Sequence, residues 1–243
     1  MDIPRLGREQ AAEARGVVIV IDVIRAFSVA AYAFAGGARE LWLVRTIAEA
    51  FALRERAPEA LLAGEVGGRL IAGFDFDNSP ARMAAANVRG RLIIQRTGAG
   101  TQGAVDAGAA THLLLAALVN ARATATYAHT LAAHDGLPIT LLPTDVPVEE
   151  EGVPACEDEV CADYLEALLR ERSDAADVLA DGITRLRTSG RLGIFARGYP
   201  DFPPEDVPAV LDVDRFAFAM RGAREQWHGV TYVRAERVDA EQS

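Results

Sequence analysis

The chain has 243 residues, half of them hydrophobic and a quarter charged, with a formal net charge of -10. That length and balance suit a soluble globular protein with a sizeable core, and the acidic excess argues against binding a nucleic-acid backbone, which calls for a net basic surface. All 25 basic residues are arginine, so Schiff-base, pyridoxal phosphate and P-loop chemistry, each of which needs a lysine, are excluded.

In chain order, Val17-Val18-Ile19-Val20-Ile21 reads as a strand buried on both faces. Asp22-Val23-Ile24-Arg25-Ala26-Phe27-Ser28 follows it directly, with a helix expected over 27–35 and stopped at Gly36-Gly37. A strand at 41–44, a helix at 47–56 ending near Pro58 and a short strand at 60–63 come next. The pattern then returns: a strand at 91–95, a small-residue turn at 98–101, a helix at 102–107 ended by Gly108, and a strand at 112–118. Segments 17–44 and 91–118 share one plan with little residue identity, a weak hint of an internal duplication beside the plain alternative that any α/β protein repeats its βαβ unit. A helix is expected at 121–133, a strand at 137–142, an exposed acidic loop at 145–158 and an amphipathic helix at 158–172. Two helical pieces at 174–198, an irregular proline-bearing stretch at 200–208 and a short β-like run at 230–233 complete the reading. The whole, 1–243, reads as a single α/β domain. No apolar run approaches the roughly 18 residues of a membrane span, and no signal-peptide core is visible, so a cytoplasmic protein without a membrane partner is expected.

Open α/β sheets bind ligands at the carboxyl ends of their strands. Asp22 sits at such an end, where its carboxylate can hold a hard cation such as Mg²⁺ while Arg25 and Ser28 grip an anion. The competing reading is an Asp that caps the following helix and pairs with Arg25. A second cluster combines Gly64-Glu65-Val66-Gly67-Gly68 with Asp75, Asp77, Asn78 and Ser79: oxygen ligands beside glycines, or else a turn built from ordinary turn formers. A third is the turn at Thr97, Gly98, Ala99, Gly100 and Thr101, whose N–H groups can cradle an oxyanion at a helix start. Four histidines show no metal-ligand spacing, Cys156 and Cys161 read as reduced structural thiols, and Glu157-Asp158-Glu159 reads first as helix capping.

These stretches, in this order, resemble the 2-phosphosulfolactate phosphatase (ComB-like) family. The matching pieces are Ile21 to Ala26 with Ser28, Gly36-Gly37-Ala38, Gly64 to Gly68, Gly73-Phe74-Asp75 with Asn78-Ser79-Pro80, Thr97 to Thr101, Asn120-Ala121 and Glu157-Asp158. The resemblance implies a three-layer α/β/α fold with a mixed sheet. It also implies a Mg²⁺-dependent phosphatase that hydrolyses 2-phosphosulfolactate or a related phospho-acid on the route to coenzyme M. Carried over, Asp22, Glu65 and Asp75 are the metal and catalytic carboxylates. Arg25, Ser28, Asn78, Ser79, Thr97, Gly98, Gly100 and Thr101 contact the substrate, Arg25 also acting in catalysis. The chain departs from the family at Ala99 and Gln102, where an Asn and an Arg are usual, and at Asp77, where a Gly is usual; Arg96 is the candidate replacement for the missing guanidinium. Ile24 stands where aspartyl-phosphate enzymes of the haloacid dehalogenase type need a second Asp, which favours attack by water over attack by Asp22. Rival readings are a non-catalytic binder of acidic metabolites and a different metal-dependent hydrolase or lyase. The expected partner is a small-molecule substrate, with a homodimer the commonest assembly.

Overall fold

The computed structural model describes residues 3–144 and 156–239. Strand β1 (Val17–Ile21) leads into helix α1 (Ala26–Ala35), followed by β2 (Glu40–Val44), α2 (Ile47–Arg56), β3 (Leu61–Val66), the two-residue β4 (Arg69–Leu70) and α3 (Pro80–Ala85). Then come β5 (Leu92–Arg96), α4 (Gly100–Asp106), β6 (His112–Ala116), α5 (Ala121–Asp135) and β7 (Ile139–Pro143). The chain closes with α6 (Glu157–Leu169), α7 (Ala175–Thr188), the short α8 (Asp206–Val210), β8 (Phe218–Trp227) and β9 (Val230–Asp239). Local chemistry fixes the boundaries. Thr46 caps α2 in a reciprocal box with Glu49, Ser79 caps α3 ahead of Pro80, and Gly136 ends α5 in the left-handed region.

The strands form one mixed sheet in the order β4-β3-β5-β2-β9-β8-β6-β1-β7, with helices on both faces. β1 lies between parallel β6 and β7, and all five of its residues are buried, as an unbroken apolar run requires. On the other side β3, β5 and β2 form a second parallel set. Alternation there fills two cores. Trp42, Val44, Leu62, Leu92 and Ile94 pack with Ala50 and Leu53 of α2, while Leu41, Leu43, Ala63 and Ile93 join the main core on the opposite face.

The hairpin β8/β9 joins the two parallel sets, antiparallel to β6 on one side and to β2 on the other. This corrects the sequence expectation of a short run at 230–233. Arg221 pairs with Glu236, and Arg234 with Glu225, across the two strands. The charges that made the segment read as solvated tail are its cross-strand contacts. α3 and α8 were also not anticipated, and the second helical piece at 174–198 is a 3₁₀ turn over Arg191–Ala196. Most of the acidic loop expected at 145–158 lies outside the described residues. The strand order places β1-α1-β2-α2-β3 and β5-α4-β6-α5-β7 in equivalent positions about the central hairpin. This is a symmetry of topology; a duplication would also require sequence correspondence, which the two segments lack.

β1 and β5 stand five steps apart in this sheet. Three antiparallel pairings separate them, so on a flat sheet their carboxyl ends would lie at opposite edges as well as about 24 Å apart laterally, yet the turn after β5 touches the residue after β1 (Gly100 N–H to Asp22 Oδ2, 2.8 Å). The sheet is therefore curved across the hairpin far enough to bring carboxyl ends of both sets to one cleft. No helix among the described residues is long and apolar enough to cross a membrane.

Gly64 lets β3 and β5 meet beside that cleft. Its φ is +151°, and a Cβ there would lie 1.9 Å from the Arg96 carbonyl oxygen. Gly64→Ala is expected to cost about 3 kcal/mol or more in urea unfolding; a wild-type midpoint would contradict the close approach.

Candidate active site

A cleft of about 440 Å³ opens where the carboxyl ends of β1, β3 and β5 converge, lined on one side by Asp22, Glu65, Asn78, Thr97, Gly98 and Ala99. Arg25, Arg191, Ile194, Phe195 and Phe202 contribute to the same lining. The heart of the cleft is a pair of carboxylates held by backbone amides. Asp22 accepts from Ala26 N–H, at the start of α1, through Oδ1 at 2.9 Å, and from Gly100 N–H, at the start of α4, through Oδ2 at 2.8 Å. Glu65 accepts from Gly98 N–H and Gly68 N–H at 2.5 and 2.7 Å. The glycine at 100 is needed because a Cβ would stand 2.5 Å from Asp22 Oδ2.

The turn at 97–101 therefore does something other than the sequence suggested. Its Gly98 and Gly100 N–H groups hold the protein's own carboxylates, and Thr97 N–H goes to Thr101 Oγ1. Thr97 and Gly98 line the cleft, whereas Gly100 and Thr101 shape the turn behind it.

Arg25 is likewise engaged. One terminal nitrogen donates to Asp206 Oδ2 and to the Asp201 carbonyl, both at 2.8 Å, and the other donates to the Gly68 carbonyl at 3.2 Å. Its guanidinium also lies against the rings of Phe195 and Phe202. Arg25 and Asp206 form a buried ion pair, and Asp206 also takes bonds from Ser79 Oγ and Ala81 N–H. Arg25 thus pins the segment around 191–206 against α1 and α3.

Five further candidates lie elsewhere than the sequence led one to expect. Asp75 does not join Asp22 and Glu65: its Oδ2 accepts from Leu62 N–H and pairs with Arg54, outside the cleft. Ser28 is fully buried and donates to the Val23 carbonyl at 2.7 Å, closing the start of α1 with no face on the cleft. Ser79 caps α3 and bonds Asp206. Asp77 turns to Ser79 N–H and Arg82, and Arg96 donates to the Arg45 and Glu65 carbonyls, so it does not replace the missing guanidinium in the cleft. Of the carboxamide candidates, Asn78 does face the cleft, and its buried Oδ1 has no hydrogen-bond partner.

The acids read first as helix capping prove more consequential. Glu157 is fully buried and receives Arg191 through both oxygens, at 2.8 and 3.0 Å. Asp158 accepts from Val23 N–H at 2.7 Å and from Thr144 N–H at 3.3 Å. Burial raises Asp22 to about 6, against the pull of its two backbone donors, and the charge of Glu65 adds to the rise. Glu157 rises to about 7 through burial and the charge of Asp22, and Asp158 is raised by burial, then by Asp22 and Glu157. Their adjacency in sequence to a helix start concealed this; only their place under β1 reveals it.

The donor set suits a hard divalent cation. Among the described residues Asp22 and Glu65 have no salt-bridge partner, and Arg25 is the weakest influence on Asp22. Two carboxylates and an unpartnered amide oxygen on one cleft match the oxygen ligands Mg²⁺ takes, with water and substrate completing its shell. The three-carboxylate set expected from the sequence is absent: the described residues contain no group of three His, Cys, Asp or Glu placed to hold a metal.

An α/β protein with paired, amide-held carboxylates at the carboxyl ends of its strands is the class that this geometry defines. The family model described as 2-phosphosulpholactate phosphatase matches residues 2–188, and the chain belongs to that family. It is 38% identical over 190 residues to a protein of Bacillus subtilis named probable 2-phosphosulfolactate phosphatase, covering 78% of this chain and 79% of that one. Proteins with the same name from Deinococcus radiodurans (44% over 153 residues, 63% of this chain and 62% of that one) and Carboxydothermus hydrogenoformans (36% over 155 residues, 64% and 61%) are also similar.

Two outcomes test this geometry. Because Asp22, Glu157 and Asp158 are all raised on folding, the folded chain holds protons that the unfolded chain releases. Their stabilising effect is full below the ordinary values of 3.8 to 4.5 and is lost as pH rises through about 6 for Asp22 and about 7 for Glu157. The melting temperature is expected to fall from pH 5 to pH 8, Asp22 alone losing roughly 3 kcal/mol between pH 3 and pH 8 and about half of that above pH 5; a flat or rising profile contradicts it. Asp206→Asn leaves Arg25 buried without its counter-charge and should cost about 3–5 kcal/mol by urea unfolding, whereas a surface pair would cost under about 1.

Proposed function

We infer that this chain is a Mg²⁺-dependent phosphatase acting on a small, multiply charged phosphate monoester, 2-phosphosulfolactate or a closely related phospho-acid. The observation that carries the reading is the cleft's charge. Two carboxylates that have no ion pair among the described residues line one cleft, with Asn78 beside them, an arrangement that repels an anion unless a cation intervenes. Family membership and the names of the relatives support the substrate class.

Asp22, Glu65 and the Asn78 Oδ1 are the residues that would hold the ion, which would neutralise charge on the phosphoryl oxygens. The remaining steps belong to the chain itself. Backbone amides fix the two carboxylates, so no reorganisation is needed when the ester arrives. Ile24 beside Asp22 supplies no second carboxylate of the kind that a covalent aspartyl-phosphate route uses. Phe195 and Phe202 cover one wall and exclude bulk water.

Phosphate release from a panel of small monoesters, with and without Mg²⁺, tests the reading. Asp22→Asn and Glu65→Gln should each lower turnover about 100-fold or more, while Asp75→Asn, outside the cleft, should stay close to wild type. Mg²⁺ should raise the melting temperature at pH 8 in the wild type and less so in Asn78→Ala. Loss of activity in Asp75→Asn alone would sink the assignment of the site. Tight binding of the esters with no phosphate released would replace catalysis by a binding role.

A further inference from the structure

An ester whose phosphate meets the carboxylate pair must rest its carbon skeleton on another part of the cleft. Both arginines in the lining are already engaged. Arg25 serves Asp206, two carbonyl oxygens and two aromatic rings. Arg191 serves Glu157 through two nitrogens and has a further interaction besides. The rest of that wall is apolar, made by Ile194, Phe195 and Phe202. Phe195 is buried, whereas Ile194 and Phe202 are half-buried and keep apolar surface open to a ligand.

The wall is preformed. The rings of Phe195 and Phe202 meet edge to face with centroids 5.8 Å apart, and the Arg25 guanidinium lies against both. The Phe202 ring packs directly on the backbone of Gly68, where a Cβ would stand 2.1 Å from Cζ. An apolar group therefore meets a surface that is already fixed, and little ordering remains to oppose binding. A strong acid set on the same surface loses hydration and finds no counter-charge of its own, which is costly. The cleft volume of about 440 Å³ falls in the range that encloses ligands well beyond three carbons. The wall also follows residue 188, where the family match ends, while Asp22, Glu65 and Asn78 lie within the match.

We propose that Ile194 and Phe202 are specificity-determining residues, and that the preferred substrate is a 2-phospho acid whose skeleton carries an apolar alkyl or aryl group bound against them. The proposal names the substrate class within the phosphatase reading and rests on that reading. Phosphate is handled by the carboxylate side of the cleft, and selection among phospho-acids is made by the wall. The competing account is that the wall only keeps water out and is indifferent to the skeleton.

Three esters that differ only in the group on the methyl carbon of lactate separate these accounts: 2-phosphosulfolactate (sulfonate), 2-phospholactate (hydrogen) and 2-phospho-3-phenyllactate (phenyl). In the wild type kcat/KM should be about 10-fold or more higher for the phenyl ester than for the unsubstituted one, and lowest for the sulfonated one. Ile194→Ser should lower the phenyl-to-sulfonate ratio about 10-fold, carried by KM. Ile194→Arg, which sets a cation on the wall, should lower it further by favouring the sulfonated ester. A wild type that prefers 2-phosphosulfolactate overturns the proposal, as does a ratio unchanged in both variants when they melt cooperatively; if neither variant folds, the wild-type order alone decides. Calorimetric binding of 3-phenyllactate and sulfolactate reads the wall without turnover. If the wild type releases phosphate from no ester, the phosphatase reading fails, yet tighter binding of 3-phenyllactate than of sulfolactate, reduced by Ile194→Ser, still upholds the wall. Equal or weaker binding of 3-phenyllactate, or none, overturns it.

Discussion

One carboxylate ties the molecule together. Asp22 ends β1 in one half of the sheet and receives N–H groups from the first turns of both α1 and α4, the second of which follows β5 in the other half. The sheet must twist until these two helix starts meet, and the positive ends of two peptide dipoles then converge on a single buried acid. The arrangement balances opposing forces. Burial and the neighbouring acids push protons onto Asp22, while the two amide donors favour its charged form. The result is a carboxyl group that titrates close to neutrality, in the one place where the strands of both halves end.

Around that point the cleft has two sides of different character. One side is built from backbone: amides of residues 68, 98 and 100 position carboxylate oxygens to within hydrogen-bonding distance. The other is built from side chains on the segment after α7, held down by the buried Arg25–Asp206 pair and by aromatic rings stacked on the Arg25 guanidinium. An amide-held charged floor thus lies under a wall of side chains. Arg25 touches both sides, since it also donates to the carbonyl of Gly68, whose N–H holds Glu65.

Much of the architecture is legible in the sequence because burial on both faces leaves unbroken apolar runs, as in Val17–Ile21, and because Thr46, Gly36 and Gly136 mark helix ends by local chemistry. The central hairpin is not legible: its arginines and glutamates satisfy each other across strands, and no linear pattern distinguishes that from a solvated tail. The same asymmetry governs the site. Asp22 stands out because it follows an unbroken apolar strand, and Glu65 because it lies at a strand end among glycines. Asp75 shares that local appearance yet turns back to Leu62 and Arg54. Arg25 looks like an anion grip until its partner, 181 residues further on, comes into view. Glu157 and Asp158 carry the signature of helix capping, and only tertiary burial under β1 changes their chemistry.

The placement of β8 and β9 has a consequence for how the protein is made. The strands that join the two parallel sets follow both of them in the chain, so both sets are made before the strands that pair their inner edges. Closure of the sheet must wait for β8 and β9 and then bring together segments far apart in the chain, a high-contact-order step that is intrinsically slow. Until it occurs, Asp22 and Gly100 have nothing to hold them in register, and the nascent chain carries the residues of its cleft without the cleft.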